Sequence, residues 1–106
     1  MGQYYQVYNI DKKESIHAHR INNGLKLMEQ VGWDKSTSSA LWLLLASRGG
    51  GDARSSHHLI GSWAGDRIVI QGDYAKDTDK GYLSESDLDG FADISLGVGE
   101  MLDSVF

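Results

Sequence analysis

The run Ala40-Leu41-Trp42-Leu43-Leu44-Leu45-Ala46 holds no polar side chain, and in a chain of 106 residues it constrains the fold more than any other feature. Ser36-Thr37-Ser38-Ser39 precedes it with oxygens able to accept from the free N–H groups of a helix start, and Gly49 stands where a left-handed terminating residue is wanted. A helix that is apolar all round must be covered on most sides, so this segment is expected to be the central helix of the core, with Trp42 as one of its anchors. A chain of this length supports one hydrophobic centre, and residues 1–106 are read as a single domain. The run is far shorter than the ~18–20 apolar residues that span a bilayer, and the polar opening Met1-Gly2-Gln3-Tyr4 does not read as a signal peptide. No membrane association is expected.

The remaining elements follow from local pattern. Tyr4 to Ile10 is rich in aromatic and β-branched residues and reads as a strand. Lys12-Lys13-Glu14 interrupts it, and Ser15 to Arg20 fits extended chain or turn equally. Asn22-Asn23-Gly24 offers a cap for a short helix through Leu25, Met28 and Val31 that ends at Gly32. Gly49-Gly50-Gly51-Asp52 opens a segment expected to be mobile as far as Ser56, where trypsin would cut first at Arg48 or Arg54. Leu59 to Trp63 and Arg67 to Gln71 read as two strands joined by an Ala64-Gly65-Asp66 hairpin loop. The second carries Ile68 and Ile70 on one face and Val69 on the other, which predicts a central strand. Gly72 to Asp93 reads as loop, with a short strand or turn near Tyr82-Leu83. Val98, Met101, Leu102 and Val105 keep the spacing of an amphipathic helix, weakened in its first turn by Gly97 and Gly99. The expected fold is α+β: a small antiparallel sheet with a central buried helix and a C-terminal amphipathic helix.

Composition sets limits on function. Hydrophobic residues at 41% and charged residues at 24% describe a chain that folds alone rather than a disordered one. With no cysteine there can be no disulfide, thiolate zinc site or cysteine nucleophile, and the reducing cytoplasm is the expected setting. The net charge of −5 is unevenly spread. Residues 1–71 hold eight Lys/Arg against six Asp/Glu, a net of +2, whereas residues 72–106 hold two against nine, a net of −7. Such an acidic back disfavours nucleic acid, because duplex affinity rests on cations that neutralise phosphates.

Motifs for chemistry are sparse. The glycine triplet Gly49-Gly50-Gly51 follows a helix instead of preceding one, at the wrong end of the dipole for a phosphate, and no Gly-Lys-Ser/Thr occurs. Four histidines form the candidate constellation. His17 and His19 share one side of an extended segment, His57-His58 precede the expected hairpin, and Asp52, Asp66 or Asp73 would complete a mixed N/O site for a divalent metal. Adjacent histidines on a strand face opposite ways, which counts against convergence. In the acidic part Glu85, Asp87, Asp89 and Gly90 fall on the first, third, fifth and sixth positions of a calcium loop, but the twelfth is Leu96 where a bidentate glutamate closes the site. No serine elbow is present. For contact with a partner the candidates are the acidic residues Asp77, Asp79 and Asp87 together with the aromatics Trp33, Tyr4 and Tyr5.

The segment Ile60-Gly61-Ser62-Trp63-Ala64-Gly65-Asp66-Arg67-Ile68, followed by Gly72-Asp73-Tyr74-Ala75, resembles a family of small uncharacterised bacterial and bacteriophage proteins. The resemblance extends to Met1-Gly2 with Tyr4-Tyr5, Lys12-Lys13-Glu14, Gly24-Leu25-Lys26-Leu27, Gly50-Gly51-Asp52 and Phe91-Ala92-Asp93-Ile94-Ser95. It implies a bacterial or phage origin and assigns no activity, cofactor or catalytic residue. Two function classes therefore stand at the level of sequence. One is a non-enzymatic protein-binding protein, such as an inhibitor of a host defence factor, that acts through an acidic surface and needs no cofactor. The other is a small metal-dependent hydrolase built on the histidines and aspartates. Charge segregation is written in the chain while no catalytic set is specified by spacing, and the first is preferred.

Overall fold

A computed structural model describes residues 4–17, 20–21, 31, 35–47 and 57–106. The expected helix between Asn22 and Gly32, Val31 apart, and the expected mobile stretch from Gly49 to Ser56 lie outside the described residues, as do His19, Trp33 and Asp52.

Strand β1 (Tyr5–Asn9) and strand β2 (Glu14–His17) form a hairpin, with Val7 opposite Ile16 and Gln6 opposite His17. Its turn is held by Asn9, whose Oδ1 accepts from the Lys12 backbone N–H at 2.9 Å while its Nδ2 donates to Asp66 Oδ2 at 2.9 Å. These bonds allow a fully buried asparagine without the cost of an unsatisfied amide. Strand β3 (Ile68–Gly72) runs antiparallel to β1 on its other side. Strand β4 (Ala92–Asp93) pairs parallel to β2, so the order is β3-β1-β2-β4 and the sheet is mixed rather than wholly antiparallel. The sequence signals no strand at Ala92–Asp93, because two residues held by Ala92 N–H to Lys13 O and Ile94 N–H to Ser15 O have no periodicity to read.

The α+β architecture is completed by helix α1 (Thr37–Leu45) and helix α2 (Ser95–Val105). Both pack on the sheet face that carries Val7 and Ile16. Ala40 and Leu44 come from α1, Val98, Met101 and Leu102 from α2, and Ile60 and Trp63 complete the cluster. The spacing read for α2 is therefore its buried face. Gly97 has a packing reason: a Cβ there would stand 3.1 Å from Leu59 Cδ1.

Several local expectations are corrected. Helix α1 is not covered all round, since Trp42 is 79% exposed. It stops at Leu45, with Ala46 extended, before Gly49 is reached. Its last carbonyls are satisfied from outside the helix, Leu43 O by Gly61 N–H at 2.8 Å and Leu44 O by Trp63 N–H at 2.9 Å. At its start Ser36 supplies no side-chain cap, and its buried Oγ has no partner among the described residues. The donors used at the C-terminus come from 57–66, which forms successive turns rather than a strand. Ile60, Ser62, Ala64 and Asp66 donate to the carbonyls three residues back, and Gly61 and Gly65 have φ of +78° and +80°. Left-handed glycines at this spacing break the extended chain that the apolar composition suggests. Strand β3 is an edge strand, not a central one. Its outer-face Val69 is apolar because the segment from Asp73 to Phe91 folds over that face and covers it.

Candidate functional site

The covering segment builds the site. On the face opposite the helices, the register sets Gln6 and Tyr8 of β1 beside His17 of β2 and Val69 and Gln71 of β3. Gln71 clamps the segment down: its Nε2 donates to Leu83 O at 3.0 Å, and Leu83 N–H donates to its Oε1 at 2.8 Å. Phe91 meets the Tyr8 ring edge to face at a centroid distance of 5.9 Å. At the other end Asp73 and Tyr4 exchange bonds, Tyr4 N–H to Asp73 Oδ1 at 3.1 Å and Asp73 N–H to Tyr4 O at 2.9 Å.

Between sheet and segment an open cleft of about 500 Å³ remains. Tyr4, Tyr5, Tyr8 and Tyr82 line it, with Gln6, His17, Gln71, Asp73 and Glu85 as its other polar members. The Tyr8 hydroxyl donates to Gln6 Oε1 at 2.9 Å, which turns the Gln6 amide nitrogen toward His17 Nε2 at 3.2 Å. His17 Nδ1 is a buried atom with no partner among the described residues. Burial raises the Tyr8 phenol above its ordinary value, so it remains a donor. Among the described residues no lysine or arginine lines the cleft.

Outside it the segment carries exposed carboxylates. Asp79 accepts from Lys76 N–H at 2.8 Å and Asp87 from Ser84 N–H at 2.9 Å, so both close turns. The backbone bond from Ser84, with its side chain, holds the Asp87 carboxyl below the ordinary range. Asp77 and Asp89 are exposed and make no side-chain hydrogen bond among the described residues. Four ion pairs are found among the described residues: Lys12 with Asp66, Arg20 with Asp93, Lys35 with Asp103 and Arg67 with Asp11. None includes Asp73, Asp77, Asp79, Glu85, Asp87 or Asp89.

The structure thus brings Tyr4, Tyr5, His17 and Asp73 together in one cleft and sets Asp77, Asp79 and Asp87 on the segment beside it. His57 and His58 are elsewhere. Because 57–60 is a turn rather than a strand, their rings stack at 4.5 Å instead of facing opposite ways. His57 Nδ1 accepts from Leu59 N–H at 3.2 Å, and Asp66 is engaged by Lys12 and Asn9. Among the described residues no three His, Asp or Glu side chains gather where a metal ion could be held, the calcium-loop residues Glu85, Asp87 and Asp89 among them. Sequence reasoning missed Gln6, Tyr8, Tyr82 and Glu85 as cleft residues. Alternation along β1 could have put Gln6 and Tyr8 on one face, but nothing local announces that a loop returns to cover them. No family model, curated protein or solved structure matches the chain.

Proposed function

We propose that this protein is a non-enzymatic binding module that docks its acidic sheet-covering segment on a basic surface of a protein partner. The observation that carries the reading is the contrast in ion pairing. Among the described residues, four of the six acidic side chains elsewhere, Asp11, Asp66, Asp93 and Asp103, hold Lys or Arg, whereas none of the six between Asp73 and Asp89 does, and these lie on a segment anchored at both ends. An anchored, unpaired set of carboxylates steers and orients a cationic partner at low cost in ordering. Tyr4 and Tyr74, both exposed, supply aromatic contact area at its edge. The resemblance to small bacterial and phage proteins fits a cytoplasmic product that occupies a host factor such as a defence enzyme.

The test is a pull-down from host lysate. Asp79 and Asp87 close turns, so the charge reversals that spare the fold are Asp77→Lys and Asp89→Lys. A partner recovered by the wild type should be lost from this double variant, and lost from the wild type as salt is raised beyond physiological strength. Equal recovery by both proteins overturns the reading. Stoichiometric zinc or manganese in protein purified without a tag would replace it with the metal-dependent hydrolase.

A further inference from the structure

We propose that the tyrosine cleft is a receptor for a guanidinium group, an arginine side chain presented by the partner's basic surface. This deepens the acidic-surface reading and rests on it for the source of the cation. The cleft's volume of about 500 Å³ falls within the range of ordinary small-ligand sites, and it is open enough for a side chain to enter end-on. Its lining is selective. Four tyrosines line it, and a tyrosine π face attracts cations through the ring quadrupole. Two carboxylates, Asp73 and Glu85, stand among them without a counter-ion among the described residues. Asp73 gives one oxygen to Tyr4 N–H and keeps the other, and Glu85 makes no side-chain hydrogen bond among the described residues. A phosphate or carboxylate ligand would meet two like charges and, among the described residues, no lysine or arginine, so an anionic nucleotide is disfavoured.

A guanidinium answers these features better than an ammonium. It is planar, stacks on aromatic rings, is weakly hydrated and offers donors in a fork that suits a carboxylate. Tyr8, Gln6 and His17 Nε2 bond one another and Gln71 bonds Leu83, while the Asp73 and Glu85 carboxylates keep oxygens that a ligand can engage.

The experiment is an NMR titration of the full chain at low salt with the peptide Ac-Gly-Arg-Gly-NH2, following the side-chain amides of Gln6 and Gln71 and the backbone amide of Gly72. The lysine peptide and the peptide with uncharged citrulline are run beside it. Saturable shifts at these amides are expected with arginine, smaller ones with lysine and none with citrulline. Tyr82→Leu should weaken binding by about three- to thirtyfold, Tyr82→Phe should retain it, and Glu85→Gln should weaken it. Absence of shifts, equal shifts with citrulline, or equal loss in Tyr82→Phe and Tyr82→Leu overturns the proposal. If Tyr82→Leu lowers the melting temperature sharply, Glu85→Gln and the citrulline comparison decide. Arginine binding in the cleft, with the partner still recovered by Asp77→Lys/Asp89→Lys, would remove the acidic-surface reading and leave the cleft's ligand class. The reverse pattern, a lost partner and a silent cleft, would remove the cleft alone.

Discussion

Trp63 is wholly buried and donates its indole N–H to Glu14 Oε1 at 2.6 Å, while Trp42 leaves 79% of its surface in solvent. The two side chains should therefore respond oppositely to truncation. Trp63→Ala is expected to cost ~3–5 kcal/mol, through a cavity and a lost partner for Glu14, and Trp42→Ala to stay within ~0.5 kcal/mol. Urea denaturation of both variants checks this, and iodide should quench Trp42 emission while leaving that of Trp63. At the same scale Asp93 couples the fold to pH. Burial pushes its carboxyl up, but the Ser95 side-chain and backbone hydrogen bonds, with Arg20 and His17 nearby, outweigh it and hold the group below its ordinary value. A carboxyl depressed on folding stabilises above its unfolded value of about 3.9 and loses that contribution as pH falls through the folded value. Asp93→Asn should melt below the wild type at pH 6, with the gap closing as pH drops below about 4. A gap that stays constant across that range would show that Asp93 acts without its charge.

In the helices, burial and backbone propensity can be separated. Leu44 is wholly buried in α1, and Leu44→Ala is expected to cost ~2–5 kcal/mol. An unchanged melting temperature would mean that α1 does not pack on the sheet. In α2 the two glycines should differ. Among the described residues nothing lies within 4 Å of a Cβ built on Gly99, so Gly99→Ala should stabilise by up to ~1 kcal/mol through helix propensity. Gly97→Ala should gain less, since Leu59 Cδ1 stands 3.1 Å from the added methyl. Equal gains at both positions would show that Leu59 does not press on the helix.

The molecule as a whole is a sheet with helices on one face and an acidic segment on the other, and the second layer is held largely by polar contacts. Gln71→Ala removes both of its hydrogen bonds to Leu83 and should lower stability by about 1–3 kcal/mol. It should also hasten tryptic cleavage at Lys76 and Lys80, which the segment carries in exposed positions. Unchanged cleavage would show that Tyr8–Phe91 and the Tyr4–Asp73 pair suffice to hold the layer.

Elements with strong local pattern were legible in the chain before any contact was known. β1 has its aromatic and β-branched run, α1 its apolar run, α2 its i, i+3, i+4, i+7 spacing, and the acidic bias after Gln71 is a matter of counting. These are properties of neighbours in sequence, and short-range sterics and burial of a periodic face are enough to decide them. The rest depended on residues far apart in the chain. That Trp63 rather than Trp42 enters the core follows from turns that bring Gly61 and Trp63 to the end of α1. That β4 joins β2 in parallel, and that β3 is an edge strand with both faces apolar, follows from the return of residues 73–93 across the sheet. The cleft is the clearest case, since Tyr4 and Tyr5 meet Tyr82 and Glu85 only because that segment folds back. Composition and periodicity determined which segments could be helix, strand or charged surface, whereas tertiary structure decided which faces were covered, because coverage is a contact between surfaces that no local pattern encodes.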